Sequence, residues 1–120
     1  MYSNPPIHGA RVVEIILGDA ELTASWHQDL VDMSSRIEAM RSSLLVNLET
    51  AGSTHDWTHI TNQIGMFAFT GLNKDQVDDL IANSSIYLTG DGRISLAGLN
   101  TGNLQYIAQE FHRVSNGVPL

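Results

Sequence analysis

Leu22, Trp26, Leu30, Met33, Ile37, Met40, Leu44 and Leu48 recur at spacings of four, four, three, four, three, four and four. Apolar residues at that interval share one face of an α-helix, whereas strand side chains alternate with a period of two. The stripe predicts one helix of about thirty residues, ended by Gly52, which can take the left-handed conformation that closes a helix. At about 1.5 Å per residue such a helix is on the order of 45 Å long, against roughly 30 Å for the width of a small compact domain. Leu22 and Trp26 are therefore expected to overhang any core that 120 residues can build and to need cover from elsewhere. Too few charges flank the stripe to favour a coiled coil.

The remaining elements follow from punctuation. Pro5 and Pro6 bar helix before Ile7, and Ala10, Val13 and Ile16 or Leu17 then share a helical face as far as Gly18. Asp19 is the expected N-cap for the long helix, with Glu21 in its first turn where the helix dipole favours an acid. Ser53 to Asp56 reads as loop, Trp57 to Ile64 approaches a strand, and Met66 to Thr70 alternates as a strand should. Asn73 and Gln76 form an Asn-x-x-Gln capping pattern that opens a helix through Val77, Leu80 and Ile81. Ile86-Tyr87-Leu88 and Arg93 to Ala97 flank Thr89-Gly90-Asp91-Gly92, which predicts a hairpin. Asn100 or Thr101 caps a last helix with Leu104, Ile107, Ala108 and Phe111 on one face. The expected fold class is α/β, a two-layer unit with helices, one very long, packed on a small and mainly antiparallel sheet.

Composition removes several functions. Thirteen acids stand against six Lys and Arg, and the arginines at 11, 36, 41, 93 and 113 do not cluster. Nucleic acid is not an expected partner, because phosphate binding needs clustered cations. There is no cysteine, so disulfides, thiolate metal sites and cysteine nucleophiles are excluded. No run of eighteen apolar residues offers a membrane span, and no charged leader with an apolar core is visible. A charged content of 16% is low, and fits outer faces that pack against another domain or subunit.

Few residues carry chemistry. Arg93 opens the second hairpin strand, and alternation puts it with Ser95 and Ala97, opposite Ile94 and Leu96. Small neighbours leave room beside the guanidinium, whose planar fork of donors suits a carboxylate. Spacing alone reads it as an exposed arginine beside a turn. Phe67 and Phe69 point the same way on a strand, with plain core as the default. Ser3 and Asn4 are polar residues in a proline-held loop. Lys74 sits among Asp75, Asp78 and Asp79, a solvated and paired setting unlike that of a nucleophilic lysine. His55 and His59 are four apart but lie in loop and incipient strand, so no metal site is expected.

The run Gln63-Ile64-Gly65-Met66-Phe67-Ala68-Phe69-Thr70-Gly71-Leu72, the run Gly92-Arg93-Ile94-Ser95-Leu96-Ala97-Gly98-Leu99, and Tyr2-Ser3-Asn4-Pro5-Pro6 resemble the C-terminal quarter of aspartate aminotransferases. Those are class I enzymes that depend on pyridoxal phosphate. The resemblance implies a piece of the fold-type I aminotransferase fold. Residues 1–18 would be a linker and short helix from the end of the large domain, 19–52 a long interdomain helix, and 53–120 the small domain. It also implies that Arg93 binds the substrate's α-carboxylate, with Phe67 beside it. Ser3 and Asn4 would approach the neighbouring subunit's active site across a homodimer. Substrates would be dicarboxylic amino acids and 2-oxo acids, in cytoplasm or mitochondrion. The family's Schiff-base lysine and phosphate loop belong to regions that this sequence does not match. The chain alone is therefore expected to bind no pyridoxal phosphate and to be inactive. The alternative is a non-catalytic interaction or small-carboxylate-binding module.

Overall fold

In a computed structural model the described residues are 6–115. Their elements are α1 (Ile7–Gly18), α2 (Ala20–Thr50), α3 (Thr58–Thr61), β1 (Phe67–Phe69), α4 (Lys74–Ser84), β2 (Arg93–Ser95), a 3-10 turn (Leu96–Gly98) and α5 (Leu104–Ser115). They form two units, Met1–Ser35 and Arg36–Leu120, with the division inside α2.

In the first unit one aspartate separates two helices. Asp19 is extended, and its Oδ1 accepts the backbone N–H of Glu21 at 2.9 Å and of Leu22 at 3.0 Å. Two of the donors left unpaired at the start of α2 are thereby satisfied. The Thr23 hydroxyl donates to the Ile16 carbonyl at 2.8 Å, covering an open acceptor at the end of α1. α1 buries none of its residues. Leu22, Trp26, Leu30 and Met33 of the stripe are also exposed, as the length of the helix led us to expect of the first two.

The second unit holds the core. Met40, Leu44 and Leu48 continue the stripe and are buried with Trp57, Ile60, Leu80 and Phe111. The Trp57 and Phe111 rings stack at 6.2 Å, and the indole N–H of Trp57 donates to Ser53 Oγ at 2.7 Å. α2 ends as Gly52 requires. Its φ is +91°, its N–H bonds the Glu49 carbonyl, and the Ser53 N–H reaches back to the Leu48 carbonyl. That double closure is the Schellman arrangement, in which glycine carries no Cβ penalty.

α4 opens with the expected capping box. Asn73 Oδ1 accepts the Gln76 N–H at 2.9 Å, and Gln76 Oε1 accepts the Asn73 N–H at 2.8 Å. Gln76 Nε2 also donates to the Val114 carbonyl at 3.1 Å, so one side chain caps α4 and ties it to α5. Arg113 of α5 pairs with Asp79 of α4 at 2.6 Å and with Glu110 at 2.8 Å. Asn100 Oδ1 accepts the N–H groups of Gly102 and Asn103 in the turn that leads into α5.

Two expectations are corrected. Trp57 to Ile64 is not a strand, because Asp56 Oδ1 accepts both the N–H and the hydroxyl of Thr58 and turns the chain into α3. The predicted hairpin also finds another partner. Its turn is real, with Gly92 N–H bonded to the Thr89 carbonyl and Thr89 N–H to the Arg93 carbonyl. Ile86 to Leu88, however, are not in a strand, and β2 pairs antiparallel with β1 instead. A helix thus lies between the two paired strands in sequence. The fold is mainly helical with a small antiparallel sheet, as the fold class anticipates.

Candidate functional site

The register pairs Phe67 with Ser95, Ala68 with Ile94 and Phe69 with Arg93. Ala68 and Ile94 are buried, so the alternation of a strand turns Phe67, Phe69, Arg93 and Ser95 to the opposite face. Phe67 is 58% and Phe69 48% exposed. Phe69 is therefore not core, the default expectation for an aromatic on a strand, but an open aromatic directly across from Arg93. Phe67 stands on the diagonal from Arg93, roughly 7–8 Å away by strand geometry. Ala97 leaves this face because the strand gives way to the 3-10 turn at Leu96.

Arg93 is 63% exposed in its side chain, and among the described residues its guanidinium meets one acid, with Nε 3.5 Å from Asp91 Oδ2. Asp91 titrates below the usual carboxylate range, first because the Thr89 hydroxyl donates to it and then because Arg93 is near. The contact is long and solvated, so it does not commit the guanidinium. Arg93 is neither walled off nor locked in an internal pair. A groove of about 430 Å³ lies nearby, lined by Ile86, Tyr87, Ile94, Ser95, Leu99 and Tyr106 among others, but Arg93 is not part of its lining.

Lys74 is 74% exposed and held to Asp78 at 2.5 Å. Hydrogen bonding to Asp78, then its charge, raises the ammonium pKa above its ordinary value. An imine-forming lysine needs the opposite shift. His59 Nε2 lies 2.9 Å from the Thr70 carbonyl and His55 Nε2 lies 2.6 Å from the Ser115 carbonyl, so both rings brace backbone. Among the described residues no three His, Asp or Glu side chains are grouped to hold a metal ion. Ser3 and Asn4 lie outside the described residues.

Two residues beside this face were not singled out from the sequence. Arg41 is 3% exposed, and it donates to the carbonyls of Ile60 at 2.9 Å, Gly65 at 2.6 Å and Phe67 at 3.0 Å. Desolvation lowers its pKa from the usual arginine value. The available signal was its place four residues after Ile37 and four before Leu45, on the edge of the buried stripe. Gln63 bonds twice to the backbone of Phe69, and nothing in its spacing marked it.

The profile of the family described as aminotransferase class I and II matches residues 1–111. The mitochondrial aspartate aminotransferase of Dictyostelium discoideum is 52% identical over 115 residues, which are 96% of this chain and 27% of that protein. The corresponding enzyme of Gallus gallus is 50% identical over the same shares. The solved mitochondrial aspartate aminotransferase of Trypanosoma brucei superposes with a TM-score of 0.93 at 47% identity, over 97% of this chain and 30% of that one. The chain thus spans about a quarter of the length of the curated relatives it matches. With a family profile covering most of its length, this chain belongs to the class I and II aminotransferases.

Proposed function

We propose that this chain supplies the α-carboxylate-binding arginine of an aspartate aminotransferase, whose reaction moves an amino group between aspartate and 2-oxoglutarate. The observation that carries the reading is the Arg93 guanidinium, open to solvent, opposite Phe69 and diagonal to Phe67. Two parallel N–H donors grip a carboxylate in one plane, and the aromatic rings offer an apolar wall beside it. Fixing that carboxylate orients the other substituents of the substrate's α-carbon, which is how a positioned arginine contributes to rate.

Pyridoxal phosphate, the family's cofactor, supplies the carbanion chemistry when bound. The residues described here do not fit it. The sole lysine of the sequence is solvated, paired with Asp78 and shifted toward its charged form. The role of this chain is therefore binding and orientation. In the whole protein we infer a homodimer, with Ser3 and Asn4 toward the neighbouring subunit's site and dicarboxylic amino acids and 2-oxo acids as substrates. The cytoplasm or the mitochondrion is its setting.

Titrating the ¹⁵N-labelled chain with succinate tests this. Shifts are expected at Arg93 and at Phe67 and Phe69, lost in Arg93→Ala and weakened in Arg93→Lys, which keeps the charge without the fork. Binding that survives Arg93→Ala would defeat the assignment. The same preparation mixed with pyridoxal phosphate should give no imine absorbance and no transamination. Turnover abolished by Lys74→Met would overturn that part.

A further inference from the structure

β1 is three residues long and pairs with β2 alone among the described strands. In an antiparallel pair, successive residues send their backbone groups to opposite edges. The Thr70 N–H bonds the Gly92 carbonyl at 2.9 Å, and the Leu96 N–H bonds the Met66 carbonyl at 2.7 Å. Met66, Ala68 and Thr70 are therefore turned toward β2, and the groups of Phe67 and Phe69 face the outer edge. An unpaired backbone edge is free to shift and fray, and so small a sheet is marginal by itself.

Side chains occupy that edge. Gln63 Oε1 accepts the Phe69 N–H at 2.7 Å, while its Nε2 donates to the Phe69 carbonyl at 2.9 Å. Those are the two bonds that a residue of a neighbouring strand would exchange with Phe69. A third bond, from Nε2 to the His59 carbonyl at 3.0 Å, anchors the amide to α3. Arg41 Nη2 serves the Phe67 carbonyl and that of Gly65, while Nη1 holds the Ile60 carbonyl. A glutamate at 63 could accept but not donate, and would set an oxygen against two carbonyls. A lysine at 41 has one nitrogen to divide among three acceptors that a planar fork reaches together.

We propose that Gln63 and Arg41 are positioning residues that stand in for a third strand, holding Phe67 and Phe69 in register with Ser95 and Arg93 and so fixing the carboxylate-binding face. Both act through the backbone of β1, and the proposal rests on the reading of Arg93 given above.

The test combines amide hydrogen exchange with succinate titration on the 120-residue chain. The Thr70 and Leu96 amides report the β1–β2 ladder, and the Val77 and Ile107 amides, bonded to Asn73 and Asn103, report the helices. In Gln63→Met, exchange at Thr70 and Leu96 is expected to quicken by about fivefold or more, with Val77 and Ile107 unchanged. Succinate affinity should fall by about fivefold, as for a lost hydrogen bond. The double variant Gln63→Met/Arg93→Ala should bind no worse than Arg93→Ala alone. Arg41→Met is the more severe change, and Arg41→Lys should recover part of its loss in affinity. If Arg41→Met does not fold, Gln63→Met and Arg41→Lys decide. Unchanged exchange at Thr70 and Leu96, equal acceleration of all four amides, or a local acceleration with unaltered succinate affinity would each overturn the proposal. If the wild-type chain binds no succinate, the Arg93 reading fails instead, and the four amides still decide whether the clamp exists.

Discussion

Gly92 stands one residue before Arg93, where the chain leaves its turn with φ at +87°. A Cβ there would sit 2.7 Å from the Leu72 carbonyl and 3.2 Å from Thr70 Oγ1, and Thr70 in turn bonds the Gly92 carbonyl through both its N–H and its hydroxyl. Gly92→Ala should therefore cost about 1 to 3 kcal/mol, from backbone strain and the clash together. Gly90→Ala, in the same turn with nothing near its would-be Cβ, is the control. Urea unfolding of the two variants checks this, and equal losses would show that the crowding is relieved cheaply. At this scale the sequence marked Arg93 and its glycine because turn chemistry is local. It misjudged Phe69, since which face of a three-residue strand is buried depends on what packs behind it. Ala68 and Ile94 took that place, although the phenylalanines are the larger apolar side chains.

Helix boundaries were legible wherever a residue at the end of a helix caps it, by its side chain or, for glycine, by its backbone conformation. Asp19, Gly52 and the Asn73–Gln76 box all do so within a few residues of sequence. Strand pairing was not, because the partner of β2 lies across α4, and the nearer segment Ile86–Leu88 looked equally suitable. Ser85, in the left-handed conformation at φ 54°, ends α4, and the Ile86 N–H bonds back to the Leu80 carbonyl. The α4–α5 contact carries a pH signature. Hydrogen bonds from Arg113 and Asn83 hold Asp79 below the usual carboxylate range, and those from Ser84 and Arg113 do the same for Glu110. Groups with depressed folded pKa values stabilise the fold above their unfolded pKa, near 4, and lose that contribution as pH falls through the folded value. Arg113→Met should therefore lower the melting temperature at pH 7 more than at pH 2.5, narrowing the gap between the two. The groups are largely solvated, so the effect is small and should shrink further in salt. A melting curve displaced equally at both pH values would rule the ion pairs out as its source.

At the scale of the molecule, burial is distributed unevenly along the sequence. Among the described residues, every buried member of the hydrophobic core lies at or after Met40. Arg36, the first residue of the second unit, already bonds the Leu99 carbonyl at 2.6 Å across 63 positions of sequence. The first unit instead displays Ile7, Val12, Val13, Ile15 and Leu17 on α1, and Leu22, Trp26, Leu30, Val31 and Met33 on α2. Exposed apolar surface of that extent marks a face that seeks a partner. In sequence this is partly visible, since the stripe is too long for the core, but the shared helical face of Ala10, Val13 and Ile16 or Leu17 gives no sign that α1 buries none of its residues. Removing residues 1–35 should then leave the cooperative unfolding of the rest nearly intact, with a melting temperature within a few degrees of the full chain. The full chain is expected to associate as its concentration rises, and the same deletion should abolish that association by removing these exposed apolar side chains. Calorimetry and light scattering on the two forms separate these effects. A broad, non-cooperative melt of the shortened form would mean that the first unit contributes to the core after all. Association that persists would move the adhesive surface to the second unit, where Ile64, Met66 and Tyr87 are among the exposed apolar side chains.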